Sequence, residues 1–230
     1  MLSHTRGIVL GSIKYKETSI IVRIFTEKYG TQAYVVNGVR SARAKGKSAL
    51  YQPMTLLDLV VYYKEGKDIH RLSETKMAMV FGEIPFSPIK RAIGMFLTEF
   101  LSKVLREESP NESLFQFLYH SIELFDHLKE GINNYHLQLL LKSANHLGYG
   151  PQGDQDFLHQ LLEAGMRVQP FEDERSVIQQ LIEQPYGAAI PIGNSHRREL
   201  LDQIIKFYAI HMHGNLEIKS LDVLKSVLSA

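Results

Sequence analysis

Apolar and polar residues alternate along the first 80 positions in the manner of β-strands. In residues 19–26, Ile20, Val22 and Ile24 fall on one face of an extended chain, with the intervening residues on the other. Comparable runs occupy residues 6–13, 31–36, 54–64 and 69–75. Five short strands in so few residues predict a small barrel of the OB type, although an SH3-like barrel gives nearly the same pattern.

From Ser87 onward the apolar residues recur with the 3.6-residue period of a helix. Ser87 is a candidate N-cap and Pro88 stands at the first helical position, where its missing N–H costs nothing. Further helices are predicted after the breaker at 109–111 and at about 134–148, 156–164, 174–184, 195–211 and from 220. The sequence therefore predicts an α+β chain, with an OB-fold domain at residues 1–82 and an all-α domain at residues 83–230.

Composition narrows the class of protein. The chain has 230 residues, of which 44% are hydrophobic and 22% charged, as in ordinary folded proteins. It has no cysteine, which excludes disulfides, thiolate metal sites and thiol catalysis and fits a cytosolic location. The N-terminus lacks the apolar core of a signal peptide, and no apolar run approaches the roughly 18 residues of a membrane span.

The net charge of +1 conceals a strong asymmetry. Residues 1–80 hold 13 Lys and Arg against 6 Asp and Glu, a net of +7, whereas the remainder carries a net of −6. A basic half indicates a polyanion partner. The acidic helical half would repel that polyanion, so we expect it to contact proteins instead.

The densest basic stretch is VNGVRSARAKGKSALYQP, residues 36–53. It places Arg40, Arg43, Lys45 and Lys47 within eight residues and contains no acid. Asn37-Gly38 and Gln52-Pro53 are breaker signals, so the stretch is predicted to connect two strands. Such a loop can contact a phosphate backbone, or it can be a solvated surface that keeps the protein in solution.

The predicted barrel offers further candidates for nucleic-acid binding. Lys14 and Lys16 lie near the end of the first strand, and Arg23 lies on the face of its strand opposite Ile20 and Val22. Tyrosines are interleaved with these cations, and aromatic rings give stacking surfaces for unpaired bases. Tyr34, which alternates with Ala33 and Val35, is the best stacking candidate of the set.

Enzyme signatures are poor. The sequence has no P-loop, no Gly-x-Ser-x-Gly elbow and no HExxH motif. His211 and His213 form an H-x-H pair with no third ligand close in sequence, which argues against a metal site. No cofactor and no catalytic residue are predicted.

The ordered motifs resemble those of the DNA repair protein RecO family. They are Thr5-Arg6-Gly7-Ile8-Val9-Leu10, Tyr15-Lys16-Glu17-Thr18-Ser19-Ile20-Ile21, Phe25-Thr26-Glu27-Lys28-Tyr29-Gly30, the Asn37-Gly38-Val39-Arg40 turn with its basic loop, Leu50-Tyr51-Gln52-Pro53-Met54, Phe207-Tyr208 and Lys219-Ser220-Leu221-Asp222-Val223-Leu224. The resemblance covers most of the chain and is weakest between about residues 150 and 191.

The resemblance implies an OB-fold, a helical C-terminal domain and a role in recombinational repair in the cytoplasm, at the nucleoid. RecO-like proteins bind single- and double-stranded DNA and anneal complementary strands. With RecR they help RecA load onto DNA coated by single-strand-binding protein (SSB), whose acidic C-terminal tail they bind. The family's basic surface corresponds to Arg40, Arg43, Lys45 and Lys47, with Lys14, Lys16 and Arg23 nearby. Arg197, Arg198 and Lys206 are the predicted contacts of the SSB tail.

One departure from the family pattern is clear. Some RecO proteins hold a zinc in four cysteines after a segment like His146-Leu147-Gly148-Tyr149-Gly150-Pro151, and this chain has no cysteine to form that site. Two other interpretations stay open at this stage. One is an RNA-binding OB-fold protein, and the other is a non-catalytic interaction scaffold whose basic loop is only solvated.

Overall fold

A computed structural model of the protein describes residues 2–41, 46–105, 109–166, 174–212 and 214–229. The chain divides into two compact units. The first comprises Met1–Gly82 and Gly94–Glu123, and the second comprises Glu83–Ile93 and Leu124–Ala230.

The first unit contains a closed five-stranded barrel within the described residues. Its strands are β1 (Leu2–Tyr15), β2 (Ser19–Thr26), β3 (Gly30–Val36), β4 (Leu56–Tyr62) and β5 (Ile69–Met77). They are joined in the order β1-β2-β3-β5-β4, and only the β3–β5 pair among them is parallel. This order confirms the predicted OB-type barrel.

Strand β1 closes the barrel because it pairs with two neighbours. Its first half pairs with β4, from Leu2 opposite Tyr62 to Ile8 opposite Leu56. Its second half pairs with β2 as far as Tyr15. Gly7 belongs to both ladders, and a Cβ built there would lie 2.6 Å from Ile24 Cγ2 and 2.8 Å from Leu59 Cδ1. The first strand therefore needs glycine where it passes from one partner to the other.

The interior of the barrel is filled by alternate residues of the strands, as their pattern predicts. Val22, Ile24, Leu57, Leu59 and Val61 are at most 2% exposed and form one cluster. The connection between β3 and β4 adds two buried residues to this cluster, Val39 and Tyr51. These two apolar side chains anchor the described parts of the connection to the barrel core.

One helix of the first unit packs against the outside of the barrel. The Phe115 ring lies 5.7 Å from the Phe25 ring, and the Arg6 guanidinium lies over the rings of Phe115 and Tyr119 at 5.5 and 4.8 Å. Gln116 Nε2 donates to Glu27 Oε1 at 2.8 Å. These contacts bury Phe25, which a strand-alternation pattern places on the outer face.

Seven α-helices follow the barrel in the described part of the chain. They are α1 (Pro88–Val104), α2 (Glu112–His127), α3 (Tyr135–His146), α4 (Asp154–Glu163), α5 (Glu174–Glu183), α6 (Asn194–His211) and α7 (Leu221–Val227). Ser87 Oγ accepts from Lys90 N at 3.3 Å, as expected of an N-cap. The barrel-then-helices architecture predicted from the sequence is confirmed. Each helix in the described residues is too short or too polar to span a lipid bilayer.

Polar side chains fix the connections of the second unit. The buried Asp126 accepts from the backbone N–H groups of Glu83 and Ile84 through Oδ1, at 2.9 and 2.8 Å. Lys90 Nζ donates to the Asp126 carbonyl at 2.8 Å, and Tyr208 Oη donates to Leu140 O at 2.7 Å. Because a buried polar group without a partner is costly, these bonds favour one arrangement of the chain.

Candidate nucleic-acid interface

Three of the predicted cations gather at the turn between β1 and β2, and we call Lys14, Lys16 and Arg40 the hairpin cluster. The Arg40 backbone N–H donates to Thr18 O at 3.0 Å, and its guanidinium Nη1 donates to Lys16 O at 3.4 Å. Ser19 Oγ donates to Asn37 Oδ1 at 2.9 Å. The connection that follows β3 is thereby tied to the hairpin, so cations that are distant in sequence share one end of the barrel.

The hairpin cluster is exposed and mainly cationic. Lys14, Lys16 and Arg40 are all exposed, against the single acid Glu17 in the turn itself. Lys16 has φ of 52°, in the left-handed region that non-glycine residues rarely adopt, and its ammonium lies 5.3 Å from the Tyr15 ring centre. This arrangement offers a positive surface with an aromatic ring beside it, which suits a phosphate chain with unpaired bases.

Arg23 lies on a different face from Lys14. Lys14 pairs with Ile20, which faces the interior, whereas Arg23 pairs with Gly11 and Ala33 on the outer face. Since alternate residues of a strand point to opposite faces, the two cations stand on opposite faces of the β1–β2 ribbon. The structure brings Lys14, Lys16 and Arg40 together and holds Arg23 apart from them.

The prediction that Tyr34 offers a stacking surface is wrong. Tyr34 is 0% exposed and belongs to the barrel core, with its ring 5.9 Å from that of His70. Burial accordingly raises the pKa of the Tyr34 phenol far above its ordinary value. Strand β3 has small or branched residues, Ala33 and Val35, on its outer face, so its one aromatic side chain points inward.

The rest of the basic stretch is only partly described. Arg43 and Lys45 lie outside the described residues, so their roles stay predictions. Lys47 is exposed at the start of a short 3-10 helix (Lys47–Tyr51), which is anchored where Tyr51 Oη donates to Thr75 Oγ1 on β5 at 3.3 Å.

A second outward-facing group, absent from the predicted site, crosses all five strands. Cross-strand pairing places Tyr62, Arg71, Val35, Ile21 and Ile13 side by side, on β4, β5, β3, β2 and β1 respectively. We call these five residues the outer row. Tyr62 is 53% exposed and Ile13 65%. The core residues Leu57, Leu59 and Val61 recur at every second position of β4, which was a signal that Tyr62 faces outward. The adjacency of Tyr62 and Arg71 follows only from the strand register.

The outer surface formed by the start of β1, β4 and the end of β5 has mixed charge instead. Arg6, Asp58 and Lys76 are neighbours across these strands, and they line a groove of about 380 Å³. Arg6 also makes a two-bond ion pair with Glu27, at 2.7 and 3.1 Å, which lowers the pKa of the Glu27 carboxyl. Because acids alternate with cations, this groove is poorly suited to a polyanion.

Of the three cations predicted to bind the SSB tail, Arg197 is placed differently from expectation. It is 8% exposed, and its guanidinium donates to Asn134 Oδ1, Asn194 Oδ1 and Ile192 O at 2.7–3.0 Å. Its guanidinium therefore bonds to groups within the fold, and the prediction that Arg197 contacts the SSB tail is wrong. Arg198 and Lys206 are exposed, and Arg198 Nη2 donates to Ser229 Oγ, two residues beyond the end of α7.

His211, the last residue of α6, packs against neighbouring side chains. His211 stacks on Tyr149 with ring centres 4.5 Å apart, and its Nε2 lies 2.8 Å from Gln160 Oε1. His213 lies outside the described residues. Among the residues that are described, no group of three or more His, Asp or Glu side chains is arranged to hold a metal ion.

Comparison with known proteins gives a consistent result over both halves of the chain. Residues 1–81 match the family model "Recombination protein O N terminal", and residues 86–221 match "Recombination protein O C terminal". The chain is similar to the DNA repair protein RecO of Bacteroides fragilis, with 35% identity over 240 residues that cover 99% of both chains. It is 32% identical to the RecO protein of Phocaeicola vulgatus over 241 residues, which cover 100% of both. The RecO protein of Flavobacterium johnsoniae is also 32% identical, over 98% of both chains.

Proposed function

Because the chain belongs to the recombination protein O family of DNA repair proteins, we propose that it acts as a recombination mediator without covalent catalysis. In this role it binds single- and double-stranded DNA and anneals complementary strands. With RecR it helps RecA to load on DNA that is coated by SSB.

The hairpin cluster is the observation that carries this proposal. Lys14, Lys16 and Arg40 are exposed at one end of the barrel, and the backbone of the basic loop is tied to the same turn. Cations gathered in this way neutralise phosphates and release their counterions, which supplies most of the affinity for a DNA backbone. Because phosphate contacts carry no base information, such binding is independent of sequence.

Charge neutralisation also accounts for annealing. Two complementary strands repel each other through their phosphates, and a surface with a net charge of +7 over residues 1–80 lowers that repulsion. Unspecific binding leaves each strand free to slide until complementary bases meet. The protein then needs no nucleophile, metal or cofactor for its activity.

The helical unit is proposed to receive the acidic SSB tail. Arg198 and Lys206 are exposed two turns apart on α6, with Asp202 midway between them. The side chain of Asp202 is occupied by Lys225 of α7, whose Nζ donates to both carboxylate oxygens at 2.7 and 2.9 Å. The ion pair partly neutralises the acid between the two cations, which favours a carboxylate-bearing peptide on this face.

An annealing assay with SSB-coated complementary strands tests the proposal. Replacing Arg40, Arg43, Lys45 and Lys47 with alanine should slow annealing by about tenfold or more, because roughly four phosphate contacts are lost. A matched variant with alanine at Lys76, Arg91, Lys103 and Lys129 removes the same charge from other surfaces and should anneal within about twofold of the unsubstituted rate.

Two outcomes would overturn the proposal. The first is an unsubstituted protein that fails to accelerate annealing, and the second is a loop variant that anneals as fast as the matched control. Repeating the assay with SSB that lacks its C-terminal tail tests the partner assignment. With this shortened SSB, variants with alanine at Arg198 and Lys206 should anneal DNA at the same rate as the unsubstituted protein, since the proposed ligand of these residues is gone.

A further inference from the structure

Asn37 and Gly38, which follow β3, form the only Asn-Gly pair among the seven asparagines of the chain. In such a pair the backbone nitrogen of the glycine can attack the side-chain carboxamide of the asparagine, because the glycine has no side chain to hinder the approach. Asn37 is exposed, and the ladder between β2 and β3 ends one residue earlier, at Val36. The turn at the start of the basic stretch is therefore also a place where the chain can react.

The hydrogen bonds around this pair favour the attack. Among the residues that the structure describes, none accepts a hydrogen bond from the Gly38 N–H, whereas Gly38 O accepts from Ser41 Oγ at 2.9 Å. The attacking nitrogen is thus not held by another described group. Asn37 Oδ1 accepts from Ser19 Oγ at 2.9 Å. A donor on this oxygen stabilises the negative charge that develops there when the nitrogen attacks.

We propose that Asn37 is a site of spontaneous deamidation, promoted by Ser19, and that its conversion to a carboxylate weakens DNA binding by the hairpin cluster. The second half of this inference rests on the proposed function. In the first step the Gly38 nitrogen gives up its proton to solvent and bonds to Cγ of Asn37, and ammonia leaves to give a succinimide. Water then opens the ring at either carbonyl, which yields aspartate or isoaspartate. The net reaction consumes one water and releases one ammonia.

Asn37 stands at the turn that carries the hairpin cluster, so a carboxylate there changes the charge of that cluster. Ser19, which bonds to the carboxamide, follows Thr18, and Thr18 O accepts from Arg40 N at 3.0 Å. Arg40 Nη1 in turn donates to Lys16 O. A negative charge at this position offsets one of the cations, and isoaspartate also lengthens the main chain before Arg40. Both changes weaken contact with a phosphate backbone.

Peptide mapping of protein that has been aged in warm, mildly alkaline buffer tests the chemical step. Conversion should be fastest in the peptide that contains Asn37, and methylation by an isoaspartyl methyltransferase detects the isoaspartate product. Asn133, Asn145 and Asn215 are internal controls, since they are exposed but followed by bulkier residues. They should stay intact for longer. Faster conversion at any of these three positions, or none at Asn37, would overturn the inference.

The Ser19→Ala substitution tests the hydrogen bond to the carboxamide. It removes the donor on Asn37 Oδ1 and should slow conversion about twofold to tenfold, the contribution of a typical hydrogen bond. Ser41→Ala is the matched control, because it removes a hydroxyl that bonds to Gly38 O instead. Its conversion rate should stay within about twofold of the unsubstituted rate. A Ser19→Ala protein that converts as fast as the unsubstituted protein, or faster, would disprove the role of Ser19.

The Asn37→Asp substitution tests the effect on binding, since it adds the charge without changing the main chain. Its affinity for oligothymidine should be at least about threefold lower at low salt, and the difference should shrink at high salt because the charge is then screened. Asn37→Gln keeps a neutral amide, and attack on it requires a less favourable six-membered ring. This variant should keep its affinity during ageing. Asn133→Asp adds the same charge to the second unit and should bind within about twofold of the unsubstituted protein.

These measurements distinguish a failure of the inference from a failure of the proposed function. If freshly prepared unsubstituted protein binds neither single strands nor duplex, the proposed function fails, and peptide mapping still decides the chemical step at Asn37. If the fresh protein binds DNA but Asn37 stays intact, or if Asn37→Asp binds as tightly as the unsubstituted protein, only the inference about Asn37 fails.

Discussion

His136 is buried as a neutral ring, and its burial has a consequence for acid stability. It is 0% exposed, and desolvation together with the charge of Arg197 lowers its pKa from 6.5 to about 3. In the unfolded chain the ring takes up a proton near pH 6.5, whereas in the folded protein it stays neutral until about pH 3. The stability supplied by the neutral ring is therefore complete above pH 6.5 and is lost as the pH falls towards 3.

We expect the free energy of unfolding to fall by up to about 1.4 kcal/mol per pH unit in this window on account of His136. His136→Phe keeps a ring of similar size without a titrating group, so its stability should depend less steeply on pH. Urea unfolding monitored by helical circular dichroism at several pH values measures the two slopes. Equal slopes for the two proteins would contradict the assignment.

Gly7 and Gly94 are two glycines of the first unit whose missing side chains have different neighbours. A Cβ on Gly7 would meet Ile24 and Leu59 inside the barrel, whereas a Cβ on Gly94 in α1 would lie 2.6 Å from the sulfur of Met54. Methionine is flexible and can move aside, but the packed interior cannot.

Gly7→Ala should therefore lower the free energy of unfolding by about 1–3 kcal/mol. Gly94→Ala should cost less, since alanine also favours the helix by about 1 kcal/mol relative to glycine. Denaturant unfolding of both variants gives the comparison. A larger loss for Gly94→Ala would show that the barrel interior relaxes more readily than its packing indicates.

Strands and helices were predictable because their apolar residues follow a strong period. The seven helices begin within a few residues of their predicted starts, and α3 to α6 also end within a few residues of their predicted ends. Ser87 caps α1, as its position before Pro88 indicates. The face of β3 was harder to predict. Its sequence has apolar residues at both odd and even positions, so alternation does not say which face is buried. Only the pairing of β3 with β2 and β5 shows that Tyr34 points inward.

The sequence predicted the candidate site only where its residues are close together in the chain. Lys14 and Lys16 belong to one hairpin, but the approach of Arg40 depends on the path of the chain after β3. The burial of Arg197 could have been predicted from its spacing in the sequence. It precedes the buried Leu200, Leu201 and Ile204 by three, four and seven residues. That spacing puts it on the buried face of α6.

At the scale of the whole molecule, the division of charge governs how binding responds to salt. Residues 1–80 have a net charge of +7 and the rest a net charge of −6, so an overall charge of +1 says little about affinity for DNA. If about 4–6 phosphates are neutralised, the log–log slope for single strands should be about −3 to −4. Titrations at several salt concentrations measure it. A nearly salt-independent affinity would be incompatible with a phosphate track.

The double pairing of β1 sets the order of events during synthesis. Leu2 pairs with Tyr62 and Gly7 with Leu57, so the first half of β1 can pair with β4 only after about 50–60 further residues have been synthesised. Strand β5, which joins β3 to β4, ends only at Met77. A nascent chain shorter than this has an incomplete barrel with open strand edges, which invite pairing with other chains. We therefore expect the growing chain to be most prone to pairing with other chains between translation of Gly7 and translation of Met77.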